Sequence, residues 1–177
     1  MSGHNKWSKI KNRKAVTDSQ KSKIFGKYAR LIAIESKLVG GNTSSPSLKA
    51  VIDRAKAENM PNENIERAVK KGAGGDTGNL EAIIYESYGH GGCAILIEAL
   101  TDNRNRAAQE IKHALVENGL ELATPGAAMW AFTKGADGYE ASMPIEISED
   151  DKSKLEKLIG DLDELDDVQD IYTNVSE

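Results

Sequence analysis

Lys6, Lys9, Lys11, Arg13 and Lys14 fall within nine residues of one another, with no acidic residue among them. Side chains of this type and density suit one chemistry above others, the gripping of phosphate groups. Each ammonium or guanidinium that meets a phosphate releases counterions, so affinity accumulates contact by contact without reading a base. Lys21, Lys23, Lys27 and Arg30 continue the run, and the first thirty residues carry nine basic side chains against Asp18 alone, a local net of +8. Trp7 and Asn12 lie inside it. Trp7 has two readings: a ring that stacks on an unpaired base, or, with Ile10, an apolar anchor that pins the segment to the helices following it.

The same accounting over the whole chain sharpens the signal. Residues 1–75 hold 16 basic and 6 acidic side chains, a net of +10; residues 76–177 hold 7 and 22, a net of −15, and the formal total is −5. One half suits a polyanion and the other repels it. Two other readings of the basic run stay open, a solvated face that keeps the protein dispersed and an arm that folds onto the acidic half. A second candidate contact lies in Thr101-Asp102-Asn103-Arg104-Asn105-Arg106. Asp102 or Asn103 can cap the helix that starts there, while Arg104 and Arg106 oppose its dipole, a cost that implies a task. The task is either a phosphate or RNA contact or salt bridges to acids of the C-terminal half.

Catalytic and metal-binding patterns are weak. His4, His90 and His113 fall on three different elements without a Cys or carboxylate at ligand spacing, and no Ser or Cys has a recognisable partner. Tyr88-Gly89-His90-Gly91-Gly92 lacks the Lys-Ser/Thr of a phosphate-cradling loop and reads as a hairpin turn. The acids Asp161, Asp163, Glu164, Asp166 and Asp167 fit no calcium-loop spacing. No enzyme activity, cofactor or metal is expected. At 177 residues, 39% hydrophobic and 29% charged, the chain has a globular composition. It contains no apolar run of bilayer length and no apolar segment behind its basic start, so a cytoplasmic protein is expected. The single Cys93, within Cys93-Ala94-Ile95-Leu96-Ile97, reads as a buried small hydrophobe.

Elements must position these side chains. Ile24, Tyr28, Leu31, Ile32, Glu35 and Leu38 recur at helical steps and stop at Gly40-Gly41-Asn42. Ser45-Pro46 opens a second helix with Leu48, Val51, Ile52 and Ala55 on one face, and Ile65, Ala68 and Val69 mark a third that ends at Lys70-Lys71-Gly72. Gly72 to Gly78 reads as a linker. Beyond it the period changes: strands over 82–88 and 93–100, a helix over 103–118, strands over 127–133 and 139–147 with Pro144 marking an edge or bulge, a helix striped by Leu155, Leu158, Ile159, Leu162 and Leu165, and a strand over 168–175. The reading is an α+β protein. A basic three-helix domain, residues 1–75, precedes an acidic domain, 79–177, ordered β-β-α-β-β-α-β, with an antiparallel sheet and two helices on one face.

Four blocks carry a resemblance. Ser2-Gly3-His4-Asn5-Lys6-Trp7-Ser8-Lys9-Ile10-Lys11-Asn12-Arg13-Lys14-Ala15 resembles the opening signature of the YebC/PmpR family. Asn59-Met60-Pro61 with Asn64-Ile65-Glu66-Arg67-Ala68 and Lys70-Lys71-Gly72, then Leu100 to Arg106, then Leu165 to Asn174, are similar to its later blocks. The resemblance implies a helical N-terminal domain followed by ferredoxin-like α/β domains, in a cytoplasmic, probable transcriptional regulator that binds DNA. It also implies a tie to translation, since a mitochondrial relative is a translational activator and some bacterial members relieve ribosome stalling. DNA and ribosomal RNA are thus both expected partners. Against the family pattern one further small α/β domain is missing, because Thr133-Lys134-Gly135-Ala136-Asp137-Gly138 runs almost directly into Tyr139.

Overall fold

A computed structural model describes residues 17–135 and 138–176. The chain divides between Glu81 and Ala82 into two compact units.

The first unit is helical: α1 (Asp18–Leu38), α2 (Pro46–Ala57) and α3 (Asn62–Ala73). Thr17 starts α1 with a capping box, its Oγ1 accepting from Gln20 N at 3.3 Å and its N donating to Gln20 Oε1 at 2.9 Å. Such a cap contributes about 1 kcal/mol. Pro46 occupies the first turn of α2, where its missing N–H costs nothing. Ile32, Leu48, Val51, Ile52, Ala55, Met60, Ile65 and Ala68 form the buried core. Where α1 crosses α3, Ser36 is fully buried and donates to Val69 O at 2.7 Å. Gly72 faces it at a point where a side chain would run into the carbonyl of Ala33 and lie 2.7 Å from Ser36 Cβ. Gly72 is therefore a packed helix residue, not the start of a linker. Leu38, assigned to the apolar stripe by its spacing, is 74% exposed; α1 ends there, and Val39 packs inward in its place.

The second unit is an antiparallel α/β body with strands β1 (Glu81–Tyr88), β2 (Ala94–Thr101), β3 (Leu122–Ala123), β4 (Phe132–Gly135), β5 (Gly138–Ala141) and β6 (Val168–Thr173), and helices α4 (Arg104–Glu117) and α5 (Glu149–Asp163). A single 3-10 turn, His90–Gly92, joins β1 to β2, so the glycine-rich segment is a hairpin turn. The main sheet has the order β3-β1-β2-β6, with β6 antiparallel to β2 through Ile95↔Thr173 and Ile97↔Ile171 and an irregularity at Glu98/Ala99. Period-two alternation sends Ile95, Ile97 and Ala99 to the face covered by α4 and α5, and Ala94 and Leu96 to the other. Cys93 is fully buried on the helix side, where desolvation raises its thiol pKa.

The helical N-terminal unit and the α/β body with both helices on one face are the fold class expected from the sequence. Two strands behave differently. Residues 127–131 are not strand but turn, with a 3-10 segment at Met129–Ala131, and β4 begins at Phe132. β4 and β5 pair only with each other, Phe132↔Ala141 to Gly135↔Gly138, and cover the sheet face opposite the helices. The strand expected to reach residue 147 ends at Ala141, ahead of Pro144, and only Ile145 returns, in an isolated parallel bridge to Val175. The two-residue β3, paired as Glu86↔Ala123 and Ser87↔Leu122, is an addition.

Candidate nucleic-acid interface

Seven of the residues assigned to phosphate or base contact, Lys6, Trp7, Lys9, Lys11, Asn12, Arg13 and Lys14, lie outside the described residues. The other N-terminal candidates sit on α1. Lys21 is exposed, 3.8 Å from Asp18 across one helical turn. Lys23 is half-buried, and Lys27 is 9% exposed. At a four-residue step these two share a helix face. Lys37, in the last turn of α1, donates to the buried Thr77 Oγ1 at 3.1 Å and so ties the helix to the segment after α3.

Arg104 and Arg106 belong to the other unit. Asn103 is the cap of α4, accepting from Arg106 N at 3.0 Å through Oδ1. The Arg106 guanidinium meets Asp102 at 2.7 Å and Asp167 at 2.9 Å. The Asp167 side chain is only 4% exposed, and it also accepts from Thr101 Oγ1 at 2.9 Å. Hydrogen bonding to Asp167, then to Asp102, raises the Arg106 pKa further above its ordinary value. Of the two tasks open for this arginine, the geometry provides the salt bridge: Arg106 joins the start of α4 to the turn before β6. Arg104 offers its backbone carbonyl to Tyr85 Oη at 3.3 Å, and its side chain is exposed.

One arrangement has no counterpart in the sequence-based list. Glu86, on β1 and 4% exposed, accepts backbone N–H groups of Gly126 at 2.6 Å, Ala128 at 2.7 Å and Met129 at 2.9 Å. The carboxylate replaces the ladder partners this turn lacks, which is why residues 126–131 do not extend as a strand. On the same turn Trp130 Nε1 donates to Tyr88 Oη at 2.7 Å and to Ala127 O at 3.0 Å, while Tyr88 Oη donates to Ala127 O. Trp130 is nonetheless 57% exposed, a ring held in place at the surface. The available signal was an acid between Tyr85 and Ser87, following the apolar run Ala82-Ile83-Ile84 of the same strand.

Among the described residues no group of three or more His, Cys, Asp or Glu could hold a metal ion, and no helix is long and apolar enough to cross a membrane.

Comparison with known proteins places these features. Residues 5–75 match the TACO1/YebC protein N-terminal domain, and residues 80–137 and 136–175 match the TACO1/YebC second and third domain. A probable transcriptional regulatory protein of Thermotoga maritima is 48% identical over 161 residues, an alignment covering 90% of this chain and 61% of that relative. One from Trichlorobacter lovleyi is 42% identical over 179 residues, covering 99% and 72%. This chain thus spans less than two thirds of the Thermotoga protein. The alignment with the Alcanivorax borkumensis relative, 34% identical and covering 99% and 97%, runs over 239 positions, so that protein carries internal length this chain lacks. The match to the second and third domains breaks at 136–137, between β4 and β5. Among solved structures, the crystal structure of a conserved hypothetical protein from Aquifex aeolicus superposes with a TM-score of 0.83 at 29% identity, covering 96% of each chain. Matched across both of its units, the chain belongs to the TACO1/YebC family.

Proposed function

We propose that this protein is a non-enzymatic, cytoplasmic regulator of gene expression, a transcriptional regulatory protein that contacts DNA through its basic N-terminal half. Residues 1–75 form the gripping domain and the acidic residues 79–177 serve other contacts. The observation that carries the reading is the charge split, +10 over residues 1–75 against −15 over the remainder. The relatives named probable transcriptional regulatory proteins support the regulatory role. Within the proposal, Lys6, Lys9, Lys11, Asn12, Arg13, Lys14, Lys21 and Lys23 meet backbone, Trp7 stacks or anchors, and Lys27, buried on the same helix, adds its charge to that face without direct contact. Arg104 adds a contact from the body, whereas Arg106 is committed to its carboxylates and supports the turn that displays Arg104.

A second reading keeps the same cations and gives them ribosomal RNA, which makes the protein a translation factor. Eight of the eleven cations in residues 17–81 are lysines. As point charges, lysines hold the backbone of either polymer alike and leave the choice to shape. Sedimentation of cell lysate through sucrose separates the two readings. The transcriptional reading expects the protein to leave the heavy fractions after DNase treatment. Persistent co-sedimentation with ribosomes after DNase contradicts it and favours the second.

A further inference from the structure

The helical unit carries an open groove between α2 and α3, with a volume of about 670 Å³. Its floor is apolar, built from Ile52, Ile65 and Val69, and its rim holds Lys49, Lys56 and Lys70. All three lysines are exposed, and none of their ammonium groups forms an ion pair or hydrogen bond with a described residue. This contrasts with Arg67 on α3, which meets Glu63 at 3.0 Å, and with Arg54 on α2, which lies over the Tyr28 ring. Asp53 and Glu66 also border the groove, and neither forms an ion pair with a described residue.

We propose that this groove is a nucleotide-binding cleft for a single strand of nucleic acid, with phosphates at Lys49, Lys56 and Lys70 and a base or sugar on the apolar floor. The inference rests on the nucleic-acid reading above and gives it a second site, built from residues that follow the N-terminal run in the sequence. Three observations choose the ligand. Ammoniums on both helices that pair with no described residue call for a ligand with several phosphates along its length. The volume falls in the range, about 300–1,000 Å³, that encloses a group of nucleotide size, whereas a duplex would lie across the rim without entering. The two carboxylates disfavour a bare phosphate but accept hydrogen bonds from donors. A single strand leaves its base amino groups and any ribose hydroxyls free to donate; a duplex pairs its base edges. Contacts to sugar and phosphate carry little sequence information, so binding tolerates sequence.

The test measures binding of the full chain to one mixed-sequence oligonucleotide as single-stranded RNA, as single-stranded DNA and as duplex DNA, over a range of salt. The Lys56→Gln/Lys70→Gln variant is expected to flatten the log K against log salt slope on a single strand by about 1.4, at about 0.7 per lost phosphate contact. Arg67→Gln/Lys71→Gln removes equal charge from the same unit outside the groove and is expected to change the slope by less than about half of that. Asp53→Ala/Glu66→Ala is expected to lower the ratio of single-strand to duplex affinity, although removing negative charge alone would strengthen both. Equal effects of the two cation pairs, loss confined to duplex DNA, or an unchanged or rising ratio in the carboxylate variant each overturn the cleft, and wild-type binding that persists leaves the broader reading standing. A wild-type protein that binds none of the three oligonucleotides overturns both. A strong effect on RNA alone or on either single strand supports the cleft and names the polymer.

Discussion

At the residue scale the body depends on two buried carboxylates that do opposite kinds of work. Glu86 satisfies three backbone donors in one turn, and Asp167 fastens Arg106 and Thr101. Replacing Glu86 by Gln leaves one oxygen for three N–H groups, and an unsatisfied donor plus weakened neutral bonds cost about 2–3 kcal/mol. The urea midpoint should fall accordingly, and Trp130 emission, read in a Trp7→Phe background, should change as its turn loosens. An unaltered midpoint would show that water replaces the carboxylate at no cost. Asp161 provides a pH test. Hydrogen bonds from Lys157 at 2.8 Å and Asn118 at 2.9 Å hold its carboxyl below the usual range. A depressed folded-state pKa contributes stability that is complete above the unfolded value, about 3.9, and is lost as pH falls through the folded value. Wild type should therefore lose more of its urea midpoint than Asp161→Asn between about pH 5 and pH 2.5. Of these residues, only the capping Asn103 and the salt-bridge alternative for Arg106 were legible in advance. The sequence displays an acid in a strand, but the three backbone N–H groups that donate to it come from a turn about forty residues away in the chain, which no local pattern encodes.

At the element scale, helical periodicity and stop signals carried most of the information. The face of α2, Leu48, Val51, Ile52 and Ala55, and that of α5, Leu155, Leu158, Ile159 and Leu162, are buried as their spacing requires. Short strands were harder, because β3 has two residues and β4 and β5 have four each, too few for an alternation to be distinct. Gly72 shows the other weakness of local reading: Lys70-Lys71-Gly72 looks like a helix stop, yet the glycine is there for the α1 crossing. Gly72→Ala gains about 1 kcal/mol of helix propensity. Against that, it overpacks a backbone contact, which costs about 3 kcal/mol or more where the carbonyl cannot retreat. The net expectation is a destabilised helical unit. In a Trp7→Phe background, far-UV circular dichroism should show an earlier first transition in urea while Trp130 emission keeps its midpoint. Loss of both signals together would contradict separate units. Gly138, with φ +121° and a side-chain position that would strike Tyr172 Oη, makes the equivalent demand in the body. Gly138→Ala should therefore lower the Trp130 midpoint.

At the scale of the molecule, the charge boundary and the structural boundary nearly coincide. The helical unit ends at Glu81, and the described body beyond it carries the excess of acid. The β4–β5 pair closes the chain where the match to the second and third domains breaks, through four antiparallel partners ending at Gly135↔Gly138. The body is thus complete as a sheet with both faces covered, although longer relatives carry more chain. That excess of acid is why the proposed function gives the polyanion to the N-terminal half. The most direct measurement is the salt dependence of nucleic-acid binding by the wild-type chain and by a Lys9→Gln/Lys11→Gln/Arg13→Gln/Lys14→Gln variant. The account predicts weaker binding and a slope flattened by about 0.7–0.9 for each lost contact. Unchanged affinity and slope in that variant would contradict it.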